Sequence, residues 1–427
     1  MDLKKYLIDK KEDINNLDIK PRLIDFPATN LIISIIGPRR AGKTYSLYDF
    51  IINKKGLKES EYIFINFEDE AIQSAERDKL LNLISFHEEI YGKEPKYIFL
   101  DEIQAMDKWE RFVYTLFERK KYKIFITGSS SKLLSKEIAT ELRGRSATFA
   151  VFPFSFKEML LINKIEIKKF YSTREENKIK NLLLNYLKTG GFPDIALSEI
   201  DAKRFFKDYI DLIVFKDLVE RFNIRNIFLM KFILNNALNS FAKEFSIHKL
   251  YLTLKSQNIK ASKKTLYSYI SLLEDTMFSF SLNKFSFSLK DSMLTIPKIY
   301  INDSGLVNTA LMFNLNENTG RLMENLVFLE FKRKINKNPS LEIYYWKDLN
   351  SEVDFVVKEG SDVKQLIQVC YSLEDEKTGK REIKGLLKAS DKLKCDDLLL
   401  ISYEDEKDIK IKDKTIKVVT LWKWLLS

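Results

Sequence analysis

The sequence predicts a multidomain α/β protein: a mostly parallel sheet, then a helical region, a winged-helix unit and a second α/β domain. Three observations carry this. Apolar strands alternate with helical segments between residues 30 and 127. A glycine-rich G-x-x-x-x-G-K-[ST] loop follows the first strand, where strand–loop–helix units place one. After Phe156 the pattern turns helical, and beyond residue 291 it returns to mixed helix and strand. At 427 residues the chain is long enough for two to four domains, given about 100–200 residues per domain.

Composition narrows the chemistry. The chain is 45% hydrophobic and 31% charged, a globular balance. Its apolar runs are short, so no membrane span or membrane partner is expected. The first residues, MDLKKYLIDKKEDINN, lack an apolar signal core, which points to a cytoplasmic location. Only His87, His248, Cys370 and Cys395 represent their residue types. That set excludes a Cys/His zinc site and a disulfide framework, and leaves little scope for Ser-His-Asp or Cys-His catalysis. Chemistry must run on carboxylates, Lys, Arg and hydroxyls with a hard cation such as Mg²⁺. The net charge of +10 favours polyanions only weakly.

The strands are expected at Leu31–Ile36, Tyr62–Phe67, Tyr97–Leu100 and Lys123–Thr127, each rich in Ile, Phe and Tyr. Helical segments separate them, as from Lys43 to Lys54. Strand one runs into Gly37, Pro38, Arg39, Arg40, Ala41, Gly42, Lys43 and Thr44. The glycines let backbone N–H groups curl toward phosphate oxygens, and the following helix adds its positive end. Lys43 can reach the β- and γ-phosphates of ATP, and the Thr44 hydroxyl can ligate Mg²⁺. Strand three ends in Asp101 and Glu102, the first assigned to the metal and the second to polarising the attacking water. Thr127 and Ser129, closing strand four, are candidate γ-phosphate sensors. Arg143 and Arg145 follow; Arg145 is the candidate for stabilising transition-state charge, in cis or in trans. Glu68 and Asp69 close strand two, where a solvated loop is as good a reading as a site.

Together GPRRAGKT, FINFED, FLDEIQ, ITGSS, ELRGRS, FPFSFKEML and TGGFPD resemble the archaeal and bacterial AAA-type ATPases with a C-terminal nuclease-like domain. The resemblance covers nearly the whole chain. It implies a P-loop AAA-type ATPase core over 1–155, a helical region over 156–240, a winged helix over 241–290 and a restriction-endonuclease-like domain over 291–427.

The residues themselves also support the last two units. Ser246 and Ser262 are positioned to cap two helices, and Leu266, Ile270 and Leu273 recur on one face of the second. Lys263, Lys264 and Tyr267 then face outward as candidate contacts to double-stranded DNA. Phe278/Phe280/Leu282 and Phe285/Phe287/Leu289 alternate about Asn283-Lys284, which predicts a hairpin wing. A charged, solvated loop leading into a helix is expected over Glu374–Lys384.

Farther on, Glu324 on a helix, Asp354 on a strand and a third strand through Gln368 and Cys370 follow the PD-(D/E)xK order. Gln368 stands where the second acid belongs and Cys370 where the lysine belongs, so this nuclease site is degenerate. Lys347 and Lys364 are near enough in sequence to reach in. The leading reading is a Mg²⁺-dependent ATPase, bound to nucleic acid or a protein partner, with an oligomer compatible. The alternatives are an ATP-regulated DNA nuclease and a nucleotide-switched scaffold without nucleic acid.

Overall fold

Short runs of Ile, Phe and Tyr have no polar face to offer water, so they fold as strands buried on both sides. In the computed structural model they are β1 Ile32–Ile36, β2 Tyr62–Asn66, β3 Tyr97–Asp101 and β4 Lys123–Gly128. A fifth strand, β5 Ser146–Ala150, goes beyond the sequence reading. Its Ser, Ala and Thr residues carry little apolar signal, and it lies half-buried at a sheet edge. The order is β2-β3-β4-β1-β5, every pairing parallel, so all five C-terminal ends share one edge.

Alternation along the strands fills both layers. Ile33, Ile35, Phe64, Phe99 and Phe125 pack on one face, while Ile32, Ile63, Ile65, Ile98 and Ile124 pack on the other. The helix Lys43–Asp49 continues through a turn of π-helix, Phe50–Lys54, and seats Phe50 against Phe125 at 4.9 Å between rings. The structure describes residues 3–73, 80, 82–128, 144–198, 200–311, 315–374 and 376–427.

The chain divides into two compact units, Met1–Phe152 with Asp275–Met277, and Pro153–Glu274 with Phe278–Ser427. The three segments expected after residue 155 thus share the second unit, and one apolar core runs from Phe154 through Leu234 and Leu326 to Leu425. Helices Phe156–Ile162 and Thr173–Thr189 open with capping boxes, Ser155 with Glu158 and Ser172 with Glu175. The TGGFPD stretch then makes a structural knot. Buried Asp303 accepts N–H bonds from Gly191 (2.8 Å), Gly305 (2.8 Å) and Leu306 (3.3 Å). A Cβ on Gly190, whose φ is +75°, would lie 1.7 Å from the Asp303 carboxylate, so only glycine fits.

Next come helix Ile227–Asn239, β6 Lys243–Glu244, helices Ile247–Ser256 and Lys263–Asp275, then β7 Ser279–Leu282 and β8 Lys298–Ile301. Ser246 and Ser262 accept the backbone N–H of Lys249 and Thr265, as the sequence predicts. The expected hairpin about Asn283-Lys284 does not form. β7 pairs antiparallel with β8 in the order β6-β8-β7, and Leu289–Met293 is a short helix. The reason is competition: the Phe285 N–H bonds to Tyr345 O at 2.6 Å, committing that segment to a different strand.

That strand is β9 Leu341–Lys347, in a six-stranded sheet with β10 Glu352–Glu359, β11 Asp362–Val369, β12 Leu398–Ser402, β13 Lys407–Ile411 and β14 Lys414–Thr420. Its order is β13-β14-β12-β11-β10-β9. Helix Leu315–Lys337 precedes it and helix Glu376–Leu393 connects β11 to β12. The charged stretch over Glu374–Lys384, read as a loop leading into a helix, is mostly that helix. Leu386, Ala389 and Leu393 anchor it in the core beneath.

Candidate functional site

At the shared C-terminal edge of the parallel sheet, the ends of β1, β3 and β4 bring Lys43, Thr44, Asp101, Glu102 and Thr127 together. β4 lies between β1 and β3, so a side chain at its end bridges what the other two deliver. Thr127 does so: its hydroxyl donates to Asp101 Oδ1 at 2.7 Å and accepts the Glu102 N–H at 2.9 Å. Thr44 donates to Asp101 Oδ2 at 2.8 Å. This hydroxyl–carboxylate pair at the mouth of a phosphate loop is a donor set for a hard cation.

The loop itself is shaped by backbone. Gly42 has φ +88° and Arg40 φ +60°. A Cβ on Gly37 would stand 2.3 Å from Val151 O, so the close strand-to-loop passage needs glycine. Lys43 is buried, its Nζ 3.4 Å from Gly37 O, 3.5 Å from Pro38 O and 3.5 Å from Glu102 Oε1. Arg39 is half-buried and Arg40 exposed, while Ala41 is buried in the underlying core.

The two adjacent carboxylates are driven apart. Complete burial and then the neighbouring Glu102 charge push Asp101 up to about 6. Burial works against Glu102 as well, but the Lys43 ammonium, the Gln104 amide and Arg39 outweigh it and hold Glu102 below the usual carboxylate range. Glu102 adopts left-handed φ 48°, ψ 47°, an uncommon conformation for this residue type.

Two predicted residues do not join this group. Arg145 precedes β5, and β5 pairs in parallel with β1, Ser146 opposite Ile32. It therefore lies at the N-terminal edge, a strand length of roughly 16 Å from the loop. There it stacks on Tyr114 at 5.1 Å and faces Glu118 at 3.7 Å. This corrects any role in cis. Ser129 and Arg143 fall outside the described residues. One contributor has no sequence signal: Arg22, buried, donates to Ala41 O at 2.8 Å and Phe152 O at 2.7 Å, bracing the loop from behind. Of the histidines, His87 is buried against Lys11 at 3.2 Å and pushed down to about 4, by burial first.

In the second unit, Glu324, Asp354, Gln368 and Cys370 line one cavity of about 620 Å³. The spacing read from the sequence thus places all four together. Asp354 Oδ2 accepts the Val369 N–H at 3.1 Å. Gln368 accepts the Asp354 N–H at 3.1 Å and donates to Glu382 at 2.6 Å. Cys370 is buried, and its thiol is pushed up to about 12 by that burial. Lys298 of β8 reaches the same carboxylates: it lies 2.9 Å from Glu324, 2.9 Å from Asp354 and 2.6 Å from Glu352. Lys347 pairs with Glu244 at 2.8 Å and Glu352 at 3.5 Å, whereas Lys364 points to Asp362 and does not reach in. Lys263, Lys264 and Tyr267 are exposed on their helix. No helix among the described residues is long and apolar enough to cross a membrane.

Three family models match successive parts of the chain. Residues 29–160 match an AAA domain, 180–317 a domain of unknown function (DUF8612) and 319–424 another (DUF4143). An uncharacterized protein of Methanocaldococcus jannaschii is 42% identical over 429 aligned positions, 98% of this chain and 93% of that protein. One from Haemophilus influenzae is 26% identical over 414 positions, 95% and 97% of the two chains. Among solved structures, PCH-2 of C. elegans aligns at TM-score 0.27 and 13% identity over 49% of this chain and 66% of its own, too distant to carry an argument. The chain belongs to one family with the Methanocaldococcus jannaschii protein, and its residues 29–160 match an AAA domain.

Proposed function

We propose that the protein binds ATP with Mg²⁺ and hydrolyses it, and that nucleotide state governs how its second unit engages nucleic acid or a protein partner. The observation that carries this reading is the Thr44–Asp101–Thr127 hydroxyl–carboxylate chain beside buried Lys43. Mg²⁺ would supply charge neutralisation between the β- and γ-phosphates. Thr44 and Asp101 would hold it, and backbone N–H groups of residues 37–44 would cradle the phosphates. Lys43 exchanges its loop carbonyls and Glu102 for phosphate oxygens. Released from Lys43, ionised Glu102 orients the attacking water. Arg145 would contribute only from a second copy of the chain.

The second unit supports a winged-helix reading with revised limits. A helix, β6, two helices, β7 and β8 follow in order from Ile227 to Ile301, with sheet order β6-β8-β7. The segment between β7 and β8 serves as the wing. Lys263, Lys264 and Tyr267 on the second of the paired helices would meet the phosphates of a duplex. Nuclease action has less support, since Gln368 and Cys370 supply neither the acid nor the lysine.

Steady-state phosphate release and binding of a fluorescent ATP analogue test the reading. Lys43→Ala should lose most nucleotide affinity. Glu102→Gln should retain binding and lose turnover by 10²-fold or more, the range expected for a positioned base. Wild-type turnover in Glu102→Gln would refute the assignment.

A further inference from the structure

A lysine ammonium offers three N–H donors. In the second unit Lys298 donates to Glu324 and Asp354, each at 2.9 Å, and pairs with Glu352 at 2.6 Å. Its side chain is 3% exposed. Burial opposes the charge, yet Asp354 and Glu324 outweigh it and hold the ammonium protonated well beyond the ordinary lysine range. The carboxylates take further donors as well. Asp354 gives its other oxygen to the Val369 N–H, and Glu324 Oε1 also accepts the Tyr300 hydroxyl at 2.7 Å.

The PD-(D/E)xK resemblance implies a divalent metal at these carboxylates, and the donor set does not fit one. Neutral Gln368 stands at the second acid position with both ends of its amide hydrogen-bonded. A dication brought to the same oxygens would face the ammonium at contact distance in a low-dielectric pocket.

The arrangement also spans modules. Lys298 and Tyr300 belong to β8 of the three-stranded sheet, Glu324 to helix Leu315–Lys337, and Glu352 and Asp354 to β10 of the six-stranded sheet. We propose that Lys298 is the permanent cation of this cluster, standing where a divalent metal would stand, and that the former metal-binding carboxylates now clasp the three-stranded sheet to the C-terminal sheet. The site takes up metal only when that lysine is removed.

Mn²⁺ titration of the full-length chain without nucleotide, followed by electron paramagnetic resonance and thermal unfolding, tests this. Wild type and Asp354→Asn should bind equal numbers of Mn²⁺ ions. Lys298→Ala should bind one more, lose it when Asp354→Asn is added, and recover in Mn²⁺ part of its lowered melting temperature. Comparing variants cancels any ion held at the nucleotide site. Mn²⁺ uptake by wild type that Asp354→Asn abolishes would overturn the proposal, as would a folded Lys298→Ala that takes up no additional ion. Should Lys298→Ala not fold, the wild-type and Asp354→Asn pair decides alone.

Discussion

Arg22 illustrates how a residue with no motif around it becomes part of a site. Its guanidinium satisfies two buried carbonyls, of Ala41 in the phosphate loop and of Phe152 beyond β5, and so fixes the loop to the strand beside it. Charge-assisted hydrogen bonds of this kind contribute about 1.5–3 kcal/mol each, and truncation leaves both carbonyls buried without that donor. Arg22→Ala should therefore lower the stability of the N-terminal unit by about 2–4 kcal/mol. It should also weaken nucleotide binding at least severalfold, with Arg22→Lys restoring part of the loss. Chemical denaturation and a nucleotide-analogue titration read the two effects. Binding unchanged in Arg22→Ala would show that the loop holds its shape without the brace.

The Asp303 knot belongs to the scale of elements, because it ties the end of helix Thr173–Thr189 to the start of helix Ser304–Leu311. Burial pushes Asp303 up to about 6, against three N–H donors that favour the charged form. The folded protein thus binds a proton more tightly than the unfolded chain does. Stability from this group is fully present below the unfolded value near 3.8 and is lost as pH rises through about 6. Against Asp303→Asn, which does not titrate, wild type should gain up to ~3 kcal/mol in relative stability as pH falls from 7 to 4. Urea denaturation at the two pH values measures it, and a difference independent of pH would contradict the linkage. At the same scale, the helix bearing Lys263 and Lys264 presents two cations and no Arg or Asn for bases. Double substitution to Ala should weaken duplex binding about equally on unrelated sequences and lower the salt slope by up to ~2. Fluorescence anisotropy over a salt series would show it, and a sequence-selective loss would contradict it.

For the whole molecule the expected outcome is ATP turnover without DNA cleavage. The cavity that gathers Glu324, Asp354 and Gln368 holds a neutral amide at Gln368, and its Glu324 and Asp354 are paired with Lys298. Linear and supercoiled DNA incubated with the protein in Mg²⁺ or Mn²⁺ should stay intact. Cleavage that disappears in Asp354→Ala would promote the nuclease reading instead.

Local pattern sufficed wherever the physics is local. Hydrophobic runs set four of the five strands of the parallel sheet, Ser246 and Ser262 marked two helix starts, and G-x-x-x-x-G-K-[ST] with the Asp-Glu strand end picked out residues that the fold gathers at one sheet edge. The edge strand Ser146–Ala150 was not legible, because a half-buried edge asks little of its side chains. Nor was the pairing of Asn283–Phe285: alternation about Asn283-Lys284 satisfies a hairpin as well as it satisfies contact with β9, and only the competing strand decides, leaving β7 to pair with β8. The placement of Arg145 depended on strand direction, which reversed the edge that sequence proximity suggested. Lys298 is 26 residues from Glu324 and 56 from Asp354, with no motif linking them. A cation finds buried carboxylates through space, where desolvation makes an unpaired charge intolerable, and that requirement has no period or spacing in the chain.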